Sequence, residues 1–205
     1  MWLEVFNANA YGTNCWLIAA DGSDRAIAVD PGFEPPALEA LLAAAGKQLE
    51  AVILTHAHLD HAAVAGDLAG DLPVFVHEAD AVAFTDEAAW NAGFANPLTD
   101  VKDLRSVRDG DVLAFEALSV EVLHTPGHTP GHCAFRTEDR LFSGDLVFAG
   151  SIGRSDFPNS SPTAMRASLQ RFLTLPDDLP VLPGHGPDTS VGRERDTNPF
   201  LAGLR

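Results

Sequence analysis

The sequence predicts an α/β domain in which two β-sheets pack face to face with helices outside. Short apolar, strand-like runs occur in both halves of the 205-residue chain, with helical stretches between them. Several of those strands end in loops that carry His, Asp and Gly. No linker or low-complexity segment divides the chain, so residues 1–205 are expected to form a single domain.

The elements follow in order. Trp2 to Phe6 and Asn14 to Ala20 read as strands joined by a turn at Tyr11-Gly12-Thr13. Arg25 to Val29 is a third, ending in the turn Asp30-Pro31-Gly32. Pro35-Pro36 opens a helix over Ala37 to Ala45, stopped by Gly46. Leu49 to Leu54 is a buried strand, and Ala62 to Ala65 reads as the opening of a helix. Pro73 to Val76 is a strand and Glu78 to Phe84 a helix, while Trp90 to Val101 is irregular and placed to cover a site. Asp111 to Phe115 and Ser119 to Leu123 are strands on either side of a short turn. Prolines and glycines keep His124 to His132 in a loop. Cys133 to Arg136 and Arg140 to Ser143 are strands, followed by Gly144-Asp145. Ser161 to Leu173 is a helix, Pro180 to Leu182 a last strand, and Val191 to Arg195 a short helix.

Thirteen basic residues against 29 acidic ones leave a formal charge of -16. Such a surface repels phosphate backbones and anionic membranes, so neither nucleic acid nor a membrane is expected as a partner. No apolar run approaches a membrane span, and Met1 to Phe6 has no basic leader, which points to the cytoplasm. Cys15 and Cys133 are far apart in sequence and read as buried free thiols.

The chemistry concentrates in Thr55-His56-Ala57-His58-Leu59-Asp60-His61, where a strand hands over to a loop and a helix. Ligands bind at that place in α/β sheets. Imidazole and carboxylate are ligands for zinc and neighbouring transition metals. Four such groups on one turn suit two adjacent ions better than one tetrahedral centre. His128, Asp145 and His185 each follow another expected strand in a glycine-flanked loop. His77 reads as structural or surface, and His124 and His132 as residues that brace the His128 loop.

Thr55 to His61, His128, Asp145 and His185 together resemble the pattern of the metallo-β-lactamase superfamily over essentially the whole chain. The resemblance implies a four-layer αββα sandwich with two divalent ions at one edge, zinc first, iron or manganese as alternatives. It implies that His56, His58 and His128 hold one ion. Asp60, His61 and His185 would hold the other, and Asp145 would bridge them with a water or hydroxide. Asp60 and Asp145 become the catalytic carboxylates. Such ions lower the pKa of bound water towards ~7 and polarise a carbonyl, which suits hydrolysis of an activated acyl bond.

Within the superfamily, Thr125 to His132, Ser143-Gly144-Asp145, Gly150 to Pro158, Gly192 to Arg195 and Asn198 to Leu201 resemble the short bacterial glyoxalase II group. These are hydroxyacylglutathione hydrolases, acting on thioesters such as S-lactoylglutathione. Arg154 falls where a basic residue in the group contacts the glutathione carboxylate; the alternative is a surface ion pair. The chain ends soon after the metal-binding part, so the glutathione contacts of the longer members' C-terminal helical domain are expected to be missing. Their glutathione-binding tyrosines are replaced by Asp156 and Pro187, and the sole tyrosine is Tyr11. A small-molecule thioester is the expected partner, and a homodimer is compatible with the chain. The rivals are a persulfide dioxygenase with one iron on His56, His128 and Asp145, a β-lactamase, and a non-catalytic metal-binding scaffold.

Overall fold

Alternate residues of one strand face different neighbours, and that alternation builds the layers. The computed structural model describes residues 1–116 and 118–204. One sheet runs in the order β1 (Trp2–Phe6), β2 (Cys15–Ala19), β3 (Arg25–Val29), β4 (Gln48–Ile53), β5 (Pro73–His77), β6 (Asp103–Val107). The other contains β7 (Val112–Phe115), β8 (Leu118–His124), β9 (Cys133–Arg136), β10 (Leu141–Gly144), β13 (Pro180–Pro183) and β14 (Thr189–Ser190), in spatial order β14-β13-β10-β9-β8-β7. A separate hairpin joins β11 (Val147–Phe148) to β12 (Ser151–Ile152).

In β2, Trp16 and Ile18 point between the sheets, while Cys15, Leu17 and Ala19 point outward. Ile27 and Val29 of β3 and Ala51 and Ile53 of β4 repeat the inward set, and Val120, Phe135, Phe142 and Leu182 answer from the other sheet. The outward set packs on α1 (Pro35–Ala44) through Leu38 and Leu42, and on α3 (Ala65–Ala69) through Leu68. On the far side, Ala134, Leu141 and Val181 pack on Met165, Leu169 and Phe172 of α5 (Pro162–Phe172) and on Val191 of α6 (Val191–Thr197). Strands buried on both faces read as continuous apolar runs, and the result is the αββα sandwich expected. Burying a side chain such as Phe135 or Phe142 stabilises the sandwich by roughly 1.5–3 kcal/mol each.

The helix expected over Glu78 to Phe84 is not formed. Only a 3-10 turn over Ala81–Phe84 is present, because Asp80 turns inward to accept hydrogen bonds from three groups of two other loops. The helix expected to open at Ala62 begins earlier, as α2 (Leu59–Ala62), and breaks at Ala63-Val64 before α3. Strand β6 carries no sequence signal: its Asp-Leu-Arg-Ser-Val run pairs in parallel with β5 at the sheet edge, with Arg105 over the Phe75 ring. The turn expected between β7 and β8 includes residue 117, which lies outside the described residues. Between α4 (Glu87–Trp90) and β6, residues 91–101 are irregular, as expected. Among the described residues, no helix is long and apolar enough to cross a membrane.

The parallel pairs β3–β4 and β10–β13 end at the same edge of the sandwich. From there β4 delivers Thr55 to His61, β10 delivers Asp145, and β13 delivers His185.

Candidate metal centre

Three groups of donors meet at this edge: His56, His58 and His128; His56, His61 and Asp145; and Asp60, His61 and His185, each able to place its ligand atoms within 4.8 Å of one another. Nδ1 of His58 and Nε2 of His128 are 2.8 Å apart. Asp145 divides its oxygens: Oδ2 is 3.3 Å from Nε2 of His128, and Oδ1 is 3.4 Å from Nε2 of His61 and 3.7 Å from that of His185. Asp60 Oδ2 is 3.2 Å from Nε2 of His185 and 3.5 Å from that of His61.

The loops hold these rings by their other nitrogens. Asp30 accepts from the Thr55 backbone N–H and hydroxyl, both at 2.7 Å, and from Nδ1–H of His61 at 3.0 Å. With its proton given to Asp30, the Thr55 oxygen accepts from Nδ1–H of His56 at 3.0 Å. Nδ1–H of His128 donates to the Arg154 carbonyl at 2.7 Å. Nε2 of His132 accepts the backbone N–H of Asp145 at 3.0 Å, while its Nδ1–H donates to the Thr125 hydroxyl at 2.9 Å. Such outer partners set the tautomer and aim of a ligand. Gly184 is required by close approach, since a Cβ there would stand 2.5 Å from Asp145 Oδ1 and 2.7 Å from the His61 ring.

The protein's own charges split the centre in two. Burial, reinforced by the neighbouring imidazoles, lowers the basicity of His56, and His58 falls to about 2 with burial and His128 as the main causes. Burial also opposes a charge on His61, but Asp60, Asp145 and Asp30 outweigh it and hold the ring at about 10. His185 is raised in the same sense by its bond to Asp60 and by Asp145, against burial. Asp60 is lowered by His61 and His185 despite its burial. One half is thus neutral imidazole, the other a compensated set of carboxylates and imidazoles. Nε2 of His56 and of His61 and Oδ1 of Asp145 are buried without a hydrogen-bond partner. Orphaned ligand atoms of this kind converging on one place fit divalent metal ions.

A cavity of about 550 Å³ opens on the centre, with Tyr11, Phe94, Phe148, Ile152 and Phe157 among its walls. Arg154 stands at its rim, two-thirds exposed, in a two-pronged ion pair with Asp156 and 4.4 Å over the Phe157 ring. The structure therefore brings together all seven expected donors and places Arg154 beside them, in the surface ion pair named as the alternative. Residues 91–101 cover the site as expected: Phe94 lines it, and Asn96 Nδ2 donates to the Ala57 carbonyl at 2.9 Å. His124 braces its loop through Nε2 and the Pro130 carbonyl, and stacks on His77 at 3.9 Å, away from the centre. Cys15 and Cys133 are buried free thiols, and burial pushes Cys15 up to about 12.

Sequence reasoning missed Asp30, Asp80 and Glu194 as supports of the site. Asp30 had a signal: it follows a strand, as the donors do, but Asp-Pro-Gly reads first as a turn. Asp80 had none, because its partners Ala57, Thr129 and Gly131 lie far away in the chain. Glu194 bonds to nearby Thr189 and Asn198, but its tie to the site runs through Gly150, 44 positions away.

The family model described as the metallo-beta-lactamase superfamily matches residues 8–185. A relative from Haemophilus influenzae, named hydroxyacylglutathione hydrolase GloC, is 35% identical, covering 97% of each chain. Among solved structures, TTHA1623 in a di-iron-bound form is 38% identical with a TM-score of 0.81, over 97% of this chain and all of that one. ETHE1 from Myxococcus xanthus is 29% identical with a TM-score of 0.82, over 99% of this chain and 85% of that one.

Proposed function

Because the chain belongs to the metallo-beta-lactamase superfamily, we propose that it is a metal-dependent thioester hydrolase, with S-lactoylglutathione as the first substrate to assay. The observation that carries the reading is Asp145, whose two oxygens face two different sets of donors. In this reading His56, His58 and His128 hold one ion, Asp60, His61 and His185 hold the other, and Asp145 serves both. Zinc is the first candidate, iron and manganese the next, since imidazole and carboxylate suit all of them. Bound there, such ions would supply Lewis acidity and activate water near neutral pH.

The chain's own part is to aim, to charge and to enclose. Asp30, Thr55 and the Arg154 carbonyl accept from Nδ1–H of His61, His56 and His128, which turns Nε2 of each ring towards the centre. Asp60 and Asp145 are proposed as the catalytic carboxylates. Both line the cavity at the centre, and Asp60 is itself oriented by the Thr13 hydroxyl at 3.3 Å. Phe94 and Phe157 shield the His58 side from bulk water, with ring centroids 5.4 and 5.3 Å from that of His58. Arg154 is proposed to exchange Asp156 for a carboxylate of the substrate's thiol part. The Haemophilus influenzae relative's name supports the thioester reading.

Metal quantification, followed by side-by-side assays with S-lactoylglutathione and glutathione persulfide, tests the proposal. Thioester turnover by protein holding two ions supports it. One iron per chain with oxygen uptake on the persulfide overturns it in favour of the dioxygenase.

A further inference from the structure

The walls of the cavity bear on which thioester enters it. Phe94 and Phe157 pack edge to face, 5.7 Å apart, against His58, and Phe157 also reaches His128 at 5.8 Å. On the other flank Phe148 stands 5.7 Å from His185. Phe94 is 43% exposed and lines the cavity, so its ring is open to a substrate there. Apart from the imidazoles and carboxylates of the centre, the polar side chains lining the cavity are Tyr11 and Arg154. Tyr11 is 60% exposed and stacked on Phe33, and Arg154 is already matched by Asp156.

We propose that the acyl group this site selects is an apolar chain or ring, such as a simple alkanoyl group, rather than a 2-hydroxyacyl group. The proposal rests on the thioester reading and deepens it. The thiol part of a substrate such as glutathione carries charges, and Arg154, the one Lys or Arg among the cavity's described lining residues, stands at the rim. The acyl part is left to the aromatic walls beside the centre. There a methylene gains by leaving water, whereas a 2-hydroxyl set against the Phe94, Phe148 and Phe157 rings gives up its water partners without a side-chain acceptor in return, the Asp60 and Asp145 carboxylates being the ones proposed to hold the metal ions.

The test uses metal-loaded protein and two series on one thiol. Calorimetry with the non-hydrolysable S-methyl, S-propyl, S-butyl and S-hexyl glutathiones should show Kd falling about fourfold per methylene, the factor equivalent to ~0.8 kcal/mol. Acetyl-, butyryl-, hexanoyl- and lactoylglutathione should give kcat/KM rising in step, with hexanoyl above lactoyl by about tenfold or more. Phe94→Ala and Phe157→Ala should each flatten both slopes. A flat calorimetric series, or lactoyl ahead of butyryl in turnover, overturns the proposal. A steep calorimetric series with no thioester cleaved upholds the apolar selection and removes the thioester reading, so the two failures are separate.

Discussion

Asp30 Oδ2 lies 3.0 Å from Nδ1 of His61, and the same carboxylate holds the Thr55 backbone and hydroxyl. Asp30 itself takes a left-handed conformation, φ 52, at the end of β3. One buried carboxylate thus orients His61 directly and His56 through Thr55. Asp30→Asn keeps the shape but loses an acceptor, and should weaken metal binding by about 10–100-fold, the usual cost of losing an outer partner. Competition against a chromophoric chelator measures it, and unchanged affinity would remove Asp30 from the centre.

Asp145→Ala should strip metal from both halves of the centre, because its oxygens face His128 on one side and His61 and His185 on the other. Chelation of the wild-type protein should abolish thioester turnover, and added zinc should restore it. Turnover that survives verified removal of metal would refute metal-dependent hydrolysis.

Arg154→Ala should raise KM for S-lactoylglutathione a few-fold and leave kcat nearly unchanged, the modest effect expected of an exposed charged contact. Steady-state kinetics decide it. An unaltered KM would show that Arg154 serves only Asp156 and Phe157.

Asp80 ties two donor loops together, accepting from Ala57 N–H at 3.1 Å, the Thr129 hydroxyl at 2.7 Å and Gly131 N–H at 2.6 Å. Burial raises its carboxyl from 3.8 to about 7, against those three donors. The folded protein therefore binds this proton more tightly than the unfolded chain, and its contribution to stability is complete below pH 3.8 and lost as pH rises to about 7. Urea melts of wild type and Asp80→Asn across that window should differ in slope, the variant lacking the fall. Parallel slopes would contradict the assignment to Asp80.

Glu194 is fully buried and accepts from the Thr189 hydroxyl, from Gly150 N–H at 2.8 Å and from Asn198 Nδ2 at 2.9 Å. Asn198 Nδ2 also donates to the Ser151 carbonyl at 2.9 Å, so α6 latches the hairpin that carries Phe148 and Ile152 into the cavity. Glu194→Ala should cost about 1–3 kcal/mol for the donors left unpaired. It should also raise KM, with Glu194→Gln recovering much of both. Denaturation and kinetics on the two variants supply the comparison, and an unchanged KM in both would leave Glu194 a role in stability alone.

The sequence by itself determined the layers and the donors. Strands such as β2, most of β3 and the Ala51-Val52-Ile53 end of β4 are apolar on both faces and declare their double burial, and Pro162 marks the start of α5 within a single turn. His56, His58, Asp60 and His61 sit on one short segment after a strand, so their chemistry is local and legible. Tertiary structure alone decided how that chemistry is held. Strand β6 exists because β5 offers an unpaired edge, not because Asp-Leu-Arg-Ser-Val prefers to be extended. Asp80 gives up a helix because buried donors more than 20 residues away in either direction compete for its carboxylate. Asp30 orients His61 across 31 positions of chain. Local periodicity records which face of an element is buried; it carries no record of which distant hydrogen bond an inward carboxylate will satisfy.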